Sequence, residues 1–313
     1  MKAIVLKNFG DVNNLVTQEL PMPSISANDV LVQVKAISIN PVDVKTRAGK
    51  GMAGMLKDIS PLILGWDISG IIVEVGTAVT QFKKGDEVFG MVNFPGHGQA
   101  YAEYVAAPAA HLALKPTSIS HQEAAAATLA ALTAWQALTS QAKIKAGEKV
   151  LIHAAAGGVG HYAVQIAKHL GAYVIGTSSS ANKDLVLSLG ADAHFDYKNQ
   201  PFEDLPKDID FVFDTVGGDN VDLSIGIVRK GGTVISIPSG LSESVVEKAK
   251  AKGVNGYFFL VQSSGEDMKS IANLLDKGII KSHVMKAYAF DQMAQAHLQV
   301  ETGRTQGKVV VTL

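Results

Sequence analysis

Three glycines that follow a short apolar run could bind a phosphate group. Gly157, Gly158 and Gly160 come directly after the apolar residues 150–152 and open a helical pattern. In dinucleotide sites a Cβ at Gly157 would block the pyrophosphate, and a Cβ at Gly160 would separate helix and strand. The first glycine of the usual pattern is Ala155 here, and an ordinary strand-to-helix turn is the alternative. We predict that the pyrophosphate contacts Ala156, Gly157, Gly158, Val159 and Gly160.

The residues after a second apolar run indicate which dinucleotide binds. Residues 172–177 have the composition of the next parallel strand of a βαβ unit. NAD-specific sites usually carry a carboxylate about 20 residues after the glycines, whereas Ser178, Ser179 and Lys183 occupy this place. Hydroxyl donors and a lysine suit a 2′-phosphate, so we predict NADP(H) as the cofactor. A serine-rich turn capping a helix that begins near Asn182 would give the same residues.

Composition excludes several other classes of chemistry. The chain has 313 residues, 47% of them hydrophobic and 18% charged, with a net charge of −1 and no cysteine. The near-zero charge gives no reason to expect a nucleic acid or a membrane surface as partner. The lack of cysteine excludes disulfides, thiolate nucleophiles and cysteine zinc sites. No stretch has the pattern of a signal peptide or a membrane span, so we expect a cytoplasmic protein.

The elements that would position these residues fall into two domains. Short β patterns separated by turns fill residues 1–118, as in a β-rich domain. A capping box at residues 120–123 precedes a long Ala-rich helix, after which helices alternate with apolar strands. We predict an α/β fold in which residues 119–264 form a parallel sheet of about six strands. Residues 265–313 return to β-type sequence and are assigned to the first domain.

Short sequence blocks distributed over nearly the whole chain form a characteristic series. They are residues 40–43 (NPVD), 64–70 (LGWDISG), 84–90 (KGDEVFG), 101–104 (YAEY), 154–160 (AAAGGVG), 214–218 (DTVGG) and 307–310 (GKVV). In these blocks the chain resembles the medium-chain dehydrogenase/reductase superfamily, in its zinc-free quinone oxidoreductase-like branch. The resemblance implies a GroES-like β-rich domain and a Rossmann-type parallel-sheet domain, with the active site in the cleft between them. It also implies a homodimer paired through an edge strand, for which residues 257–261 are the candidate.

The resemblance further implies a reaction without a metal. Zinc-dependent relatives hold the metal with Cys, His and Cys, and the first two of these positions correspond to Asn40 and Trp66. Neither residue is a usual zinc ligand, so we predict no metal site. Without zinc to lower the pKa of an alcohol, the easier reaction is hydride transfer from NADPH to a quinone or an α,β-unsaturated carbonyl. The alternative function is an NADPH-binding sensor or interaction protein with little catalysis.

The family's site residues carry over to individual positions. Asn40 would donate to a substrate or carboxamide oxygen, and the alternative is a locally satisfied residue before proline. Asp43 joins the catalytic set, although an Asp43–Arg47 pair could simply fix the loop. Thr133 corresponds to a position near the nicotinamide and could equally bond its own helix backbone. The predicted catalytic residues are thus Asn40, Asp43 and Thr133, and the further cofactor contacts are Lys183, Tyr197, Val216, Gly217 and Arg304.

Overall fold

A computed structural model describes residues 1–238 and 240–313 of the chain. The strands are β1 (Lys2–Leu6), β2 (Leu15–Glu19), β3 (Asp29–Ile39), β4 (Asp67–Val75), β5 (Glu87–Met91), β6 (Tyr104–Pro108), β7 (Leu112–Leu114), β8 (Lys149–Ile152), β9 (Tyr173–Ser178), β10 (Ala193–Asp196), β11 (Ile209–Asp214), β12 (Val228–Ser236), β13 (Asn255–Phe258), β14 (Val284–Ala289) and β15 (Lys308–Thr312). The helices are α1 (Pro41–Arg47), α2 (Ala53–Leu56), α3 (His121–Ala126), α4 (Leu129–Trp135), α5 (Gly160–His169), α6 (Lys183–Ser188), α7 (Asp219–Ile227), α8 (Glu243–Lys252), α9 (Gly265–Asp276) and α10 (Met293–Glu301). The chain divides into two units. The first unit contains Met1–Leu132 and Val261–Leu313, and the second contains Thr133–Leu260.

The first unit is organised around a mostly antiparallel sheet. Its strands lie in the order β14-β15-β3-β4-β5-β7, and β6 also pairs with β3. The last strand, β15, pairs antiparallel with β3, with Val310 opposite Ser38. The C-terminal tail therefore returns to the sheet built by the N-terminal residues, as the sequence predicts. This pairing brings the start of β15 beside the end of β3, where the first candidate site residues lie.

The second unit contains a parallel sheet of six strands in the order β10-β9-β8-β11-β12-β13. The chain leaves β8 for β9 and β10 on one side, and returns to β11 directly beside β8, where Phe213 pairs with Ile152. Strand order reverses between these two strands, and α/β sheets bind ligands beyond the carboxyl ends at such a point. The predicted Rossmann-type sheet is confirmed. Strand β13 lies at the sheet edge but ends at Phe258, so it covers only part of residues 257–261.

The Ala-rich segment predicted as one long helix is two helices, α3 and α4. Thr128 Oγ1 donates to Ala125 O at 2.7 Å, and the Leu129 N–H donates to Asp67 Oδ1 at 3.0 Å. The Leu129 amide is thus bound by a carboxylate, as the first amides of a helix can be. Helix α3 packs on β3, β4 and β15. Residues 119–132 therefore belong with the first unit, whereas the sequence assigned them to the second domain.

Side chains that bind free backbone amides fix where two of the helices start. The predicted capping box of α3 is present, because Ser120 Oγ accepts from Glu123 N–H at 3.2 Å and Glu123 Oε2 accepts from Ser120 N–H at 2.8 Å. At α1, the Asn40 N–H donates to Asp43 Oδ2 at 2.6 Å. Such caps stabilise a short helix by about 1 kcal/mol each. In the described residues no helix has the length and apolar character needed to cross a membrane.

Candidate cofactor site and active site

The turn between β8 and α5 is shaped by close backbone approach. Ala154 has a positive φ of 47°, and the Gly157 N–H donates to Ala154 O at 2.8 Å. A Cβ on Gly160 would lie 2.2 Å from this same carbonyl oxygen, which no side chain tolerates. Helix α5 therefore starts tightly against the end of β8. The free N–H groups of a first helical turn can bind a phosphate there.

Ala155 stands where the usual pattern has its first glycine, and the neighbouring strand explains why alanine fits. The Ala155 side chain is buried, and its N–H donates to Thr177 O at 2.9 Å. Position 176 on β9 is a glycine whose Cβ would lie only 2.8 Å from the Ala155 Cβ. The methyl group of Ala155 thus occupies the space that a side chain at Gly176 would need. The departure from the motif is compensated within the same βαβ unit.

Buried His153, which follows β8, forms hydrogen bonds with residues of β9 and α7. Its Nδ1 lies 3.1 Å from Thr177 Oγ1, and its Nε2 lies 3.0 Å from Ser224 Oγ. Since Ser224 Oγ donates to Asn220 O at 2.7 Å, Ser224 accepts from the His153 Nε2–H, and Nδ1 accepts from Thr177. Burial lowers the pKa of His153 to about 4, so the imidazole is neutral at pH 7. His153 therefore joins β8, β9 and α7 and is a structural residue.

The predicted cofactor contacts Val216 and Gly217 lie in a turn that is stabilised by the buried carboxylate of Asp214. This carboxylate accepts from Val216 N–H at 3.1 Å, Gly217 N–H at 2.9 Å and Ser236 Oγ at 2.8 Å. Gly217 has a φ of 81°, a backbone conformation that favours glycine. The Val216 side chain is 57% exposed. The turn after β11 thus presents Val216 to solvent beside the carboxyl end of β8.

The end of β9 carries the residues predicted to bind a 2′-phosphate. Ser178 is its last residue, Ser179 follows, and Lys183 begins α6. Ser178 Oγ lies 2.8 Å from His194 Nε2, and Ser178 O accepts from the Tyr197 N–H at 3.3 Å. The Tyr197 side chain is 60% exposed. The pairing of β10 with β9 thus places Tyr197, which follows β10, next to Ser178.

Sequence reasoning missed two residues at this position, His194 and Asp196. Both belong to β10, and Asp196 lies opposite Ser178 in the parallel register. They are absent from any motif around the glycines. Only the pairing of β10 with β9 reveals that they adjoin the serine pair.

In the first unit, Asn40 lies in a buried polar cluster with Asp67 and Lys308. Asn40 Nδ2 donates to Asp67 Oδ2 at 2.8 Å, and Asn40 Oδ1 accepts from Lys308 Nζ. Lys308 Nζ also lies 4.0 Å from Asp67 Oδ2, and all three side chains are buried. Burial raises the pKa of Asp67 and lowers the pKa of Lys308. Their mutual attraction opposes both shifts, so the amide bridges an acid and a base that stabilise each other's charge.

The predicted catalytic residue Asp43 adjoins the same cluster. Burial and the negative charge of Asp67 raise the pKa of Asp43 to about 7. Arg47 does not form the ion pair with Asp43 that the sequence left open, because its guanidinium pairs with Glu301 on α10. Asp43 instead caps the Asn40 N–H. Its carboxyl group is therefore positioned by α1 and can hold a proton near neutral pH.

The remaining residues that the sequence singled out are Thr133, Arg304 and Trp66. Thr133 is a buried residue of α4. Arg304 is exposed in the turn after α10, where its N–H donates to Thr302 Oγ1 at 3.2 Å. Trp66 is fully buried, with its Nε1–H donating to Gly96 O at 2.6 Å, so it is a core residue. Residues 1–238 and 240–313 contain no group of three His, Cys, Asp or Glu side chains that could hold a metal ion.

Known proteins are similar in sequence to this chain over nearly its whole length. Residues 26–117 match the family of alcohol dehydrogenase GroES-like domains, and residues 189–311 match the zinc-binding dehydrogenase family. The NADPH-dependent alkenal/one oxidoreductase of Arabidopsis thaliana is 35% identical over 99% of this chain and 79% of its own length.

Two solved structures are similar over almost their full length. The quinone oxidoreductase from Coxiella burnetii has a TM-score of 0.94 and 37% identity, covering 100% of this chain and 99% of that one. The Escherichia coli quinone oxidoreductase complexed with NADPH has a TM-score of 0.89 and 28% identity, covering 100% of both chains. The likeness therefore includes both units and is not confined to the glycine turn.

Proposed function

The chain belongs to the medium-chain dehydrogenase/reductase superfamily, among its quinone oxidoreductase-like proteins, and we propose that it transfers hydride from NADPH to quinones or α,β-unsaturated carbonyls. The observation that carries this proposal is the glycine turn at the reversal point of the parallel sheet, followed by hydroxyl and lysine side chains where NAD-specific sites have an acid. Relatives named for quinone and alkenal/one reduction with NADPH support the same reaction.

In this proposal the second unit would bind the charged parts of the cofactor. The pyrophosphate would bind the first turn of α5, where only glycine can occupy position 160. Ser178, Ser179, Lys183 and Tyr197 would bind the 2′-phosphate, and Val216 and Gly217 would support the nicotinamide ribose. Arg304, which belongs to the first unit, is a further proposed contact. NADPH supplies the hydride from its nicotinamide ring.

The first unit would supply a hydrogen-bond donor and a proton reservoir. Asn40 Nδ2 has two hydrogens, and one is bound to Asp67. We assign the other to the substrate oxygen, on which negative charge develops when a conjugated acceptor is reduced. Asp43 would retain a proton near pH 7 because of its raised pKa of about 7. Thr133, the first residue of the second unit, is proposed to orient the nicotinamide.

We propose that the reaction needs no metal. The chain has no cysteine, and the family's first two zinc-ligand positions are Asn40 and Trp66. A ligand set of this kind does not suit zinc. Quinones and enones delocalise the developing charge onto oxygen, so a hydrogen bond can replace a metal ion in this role.

The test is NADPH oxidation with a panel of quinones and enones, with and without a strong chelator. We expect turnover on members of the panel and the same rate after chelation. Tight NADPH binding without turnover on any acceptor would favour a sensor or interaction protein instead. Loss of turnover on chelation would contradict the metal-free reaction.

We also propose a cytoplasmic homodimer paired through β13. The support is the edge position of β13 and the exposed Phe258 at its end. Analytical ultracentrifugation of wild type and Phe258→Lys tests this, with a dimer that dissociates in the variant as the expected result. Cell fractionation tests the compartment.

A further inference from the structure

His194 occupies a position on β10 that couples it to the serine pair. His194 and Asp196 are two residues apart on one strand, so their side chains share a face of the sheet. Ser178 Oγ lies 2.8 Å from His194 Nε2 and 3.1 Å from Ser179 O. The Ser178 side chain is buried, whereas His194 is partly exposed. A proton can therefore reach the imidazole from solvent.

The hydrogen positions around Ser178 depend on the tautomer and the charge of His194, because Nε2 of a neutral imidazole can accept or donate, whereas Nε2 of an imidazolium can only donate. A serine hydroxyl has one hydrogen, and here it can go to His194 Nε2 or to Ser179 O. When the imidazole is protonated, Nε2 carries a hydrogen and can only donate, so Ser178 must accept from it. The hydroxyl hydrogen is then held only by a neutral carbonyl. A phosphate oxygen is a stronger acceptor and would capture it.

Of the two charged residues near His194, Asp196 repels a phosphate and Lys183 attracts it, so a positive imidazole would offset the charge of Asp196. Asp196 lies opposite Ser178 in the register, and its carboxylate accepts from Asn199 Nδ2 at 2.6 Å and Lys198 N–H at 3.1 Å. The side-chain bond from Asn199 is the largest influence lowering the pKa of Asp196, which therefore stays negative at pH 7. Burial and Lys183 lower the pKa of His194, while Asp196 raises it. A bound phosphate would add a further negative charge and favour the imidazolium.

We propose that His194 is a positioning residue for the 2′-phosphate: it takes up a proton from solvent when NADPH binds and orients the Ser178 hydroxyl toward the phosphate. The inference rests on the proposed function, because it assumes that NADPH binds at Ser178 and Ser179. The proton goes to the imidazole, the Nε2–H donates to Ser178 Oγ, and the Ser178 hydrogen passes from Ser179 O to a phosphate oxygen. NADH has no 2′-phosphate and gives no such uptake.

The test is calorimetric titration of NADPH and NADH at several pH values, in two buffers of different ionisation enthalpy. For wild type we expect proton uptake on binding NADPH and none on binding NADH. The Kd for NADPH should fall as the pH is lowered from 8 to 6.5, by up to about tenfold per pH unit for one proton. A phosphate monoester has its own pKa of about 6 and releases protons on binding a cation. Titration of the phosphate therefore contributes proton release, which is opposite in sign to the uptake expected at His194.

The matched variants are His194→Gln and His169→Gln. Glutamine keeps a donor near the Nε2 position but cannot titrate, so His194→Gln should abolish the uptake and flatten the pH dependence for NADPH alone. His169 is an exposed residue at the end of α5, and its variant should behave as wild type. Equal proton uptake in wild type and His194→Gln would overturn the inference.

A second measurement keeps the inference testable if His194→Gln does not fold. The imidazole of His194 in the wild-type protein is titrated by NMR with 2′,5′-ADP and with ADP. We expect the His194 pKa to rise with 2′,5′-ADP and to stay unchanged with ADP. An unchanged pKa with both ligands would overturn the inference while leaving NADPH binding intact. Failure of NADPH itself to bind at any pH would overturn the proposed function and the inference together.

Discussion

The amide of Asn40 lies between a carboxylate and an ammonium group, and these two neighbours determine which of its ends faces which. Its nitrogen faces Asp67 and its oxygen faces Lys308. The opposite orientation would place an amide N–H against an ammonium group and two oxygens against each other. Asn40 was predicted as a site residue from the family resemblance of the block 40–43. The sequence could not identify Lys308 as a partner, because 268 positions separate the two residues.

Removal of Lys308 should destabilise the first unit in a pH-dependent way. In Lys308→Met, the buried Asp67 and Asp43 lose their nearest positive charge, and loss of one partner of a buried pair typically costs about 3–5 kcal/mol. At pH 5 the two carboxyls can take up protons, so we expect a smaller loss at pH 5 than at pH 8. Urea unfolding at the two pH values measures this difference. The exposed Lys84→Met is the control, and equal losses in both variants would contradict the account.

At the scale of elements, the strand-turn-helix unit was predictable because its signals are local. An apolar run, glycines and a helical pattern lie within residues 149–169, and Gly160 has a steric reason, because a Cβ there would lie 2.2 Å from Ala154 O. The alternation of helices and strands also predicted a parallel sheet of about six strands, and the structure has six. The break between α3 and α4 was not predictable, because Asp67 on β4 causes it by binding the Leu129 N–H. His194 was not predictable either, because its contact with Ser178 depends on the register of β10 against β9.

The closeness of α5 to β8 gives a prediction with a matched control. Gly160→Ala would place a Cβ 2.2 Å from Ala154 O, so we expect a loss of about 1–3 kcal/mol in the free energy of unfolding and weaker NADPH binding. Gly226→Ala lies in α7, where a Cβ meets nothing within 4 Å. That variant should be neutral or up to about 1 kcal/mol more stable. Urea unfolding and NADPH titration of both variants provide the comparison, and equal behaviour would refute the steric argument.

At the scale of the whole molecule, each unit contains a buried neutral histidine. Burial lowers the pKa of His153 in the second unit to about 4 and that of His297 in the first unit to about 3. His297 Nε2 pairs with the Tyr101 hydroxyl at 2.9 Å. In the unfolded chain these histidines have a pKa of about 6.5 and bind protons more tightly than in the folded protein. Acidification below about pH 6.5 therefore favours unfolding of both units.

The pH dependence of stability should therefore contain a term from each histidine. Between pH 7 and pH 5 each should reduce the free energy of unfolding by about 2 kcal/mol. Asp43, whose pKa is raised to about 7, acts in the opposite direction, so the net slope is smaller than the histidine sum. In His153→Gln the loss on acidification should shrink relative to wild type, as measured by chemical unfolding at pH 7 and pH 5. A slope identical to that of wild type and of His169→Gln would show that His153 is not neutral in the folded protein.

Most of the two-unit architecture could be predicted from residue patterns, including the return of the C-terminal strand to the N-terminal sheet. The buried cluster around Asn40 could not, because its members come from the end of β3, the starts of β4 and β15 and the first turn of α1. Their packing decides which polar atoms remain for a substrate. Chemistry at that site is therefore best tested by the reaction itself.

The most direct measurement of hydride transfer uses NADPH that carries deuterium at the transferable C4 position. The protein, with its metal content determined, is incubated with this cofactor and an α,β-unsaturated ketone in the presence of a chelator. We predict that the deuterium appears on the β-carbon of the saturated ketone, at one atom per NADPH oxidised. A saturated product without deuterium, or labelling that requires a stoichiometric metal ion, would contradict direct metal-free hydride transfer.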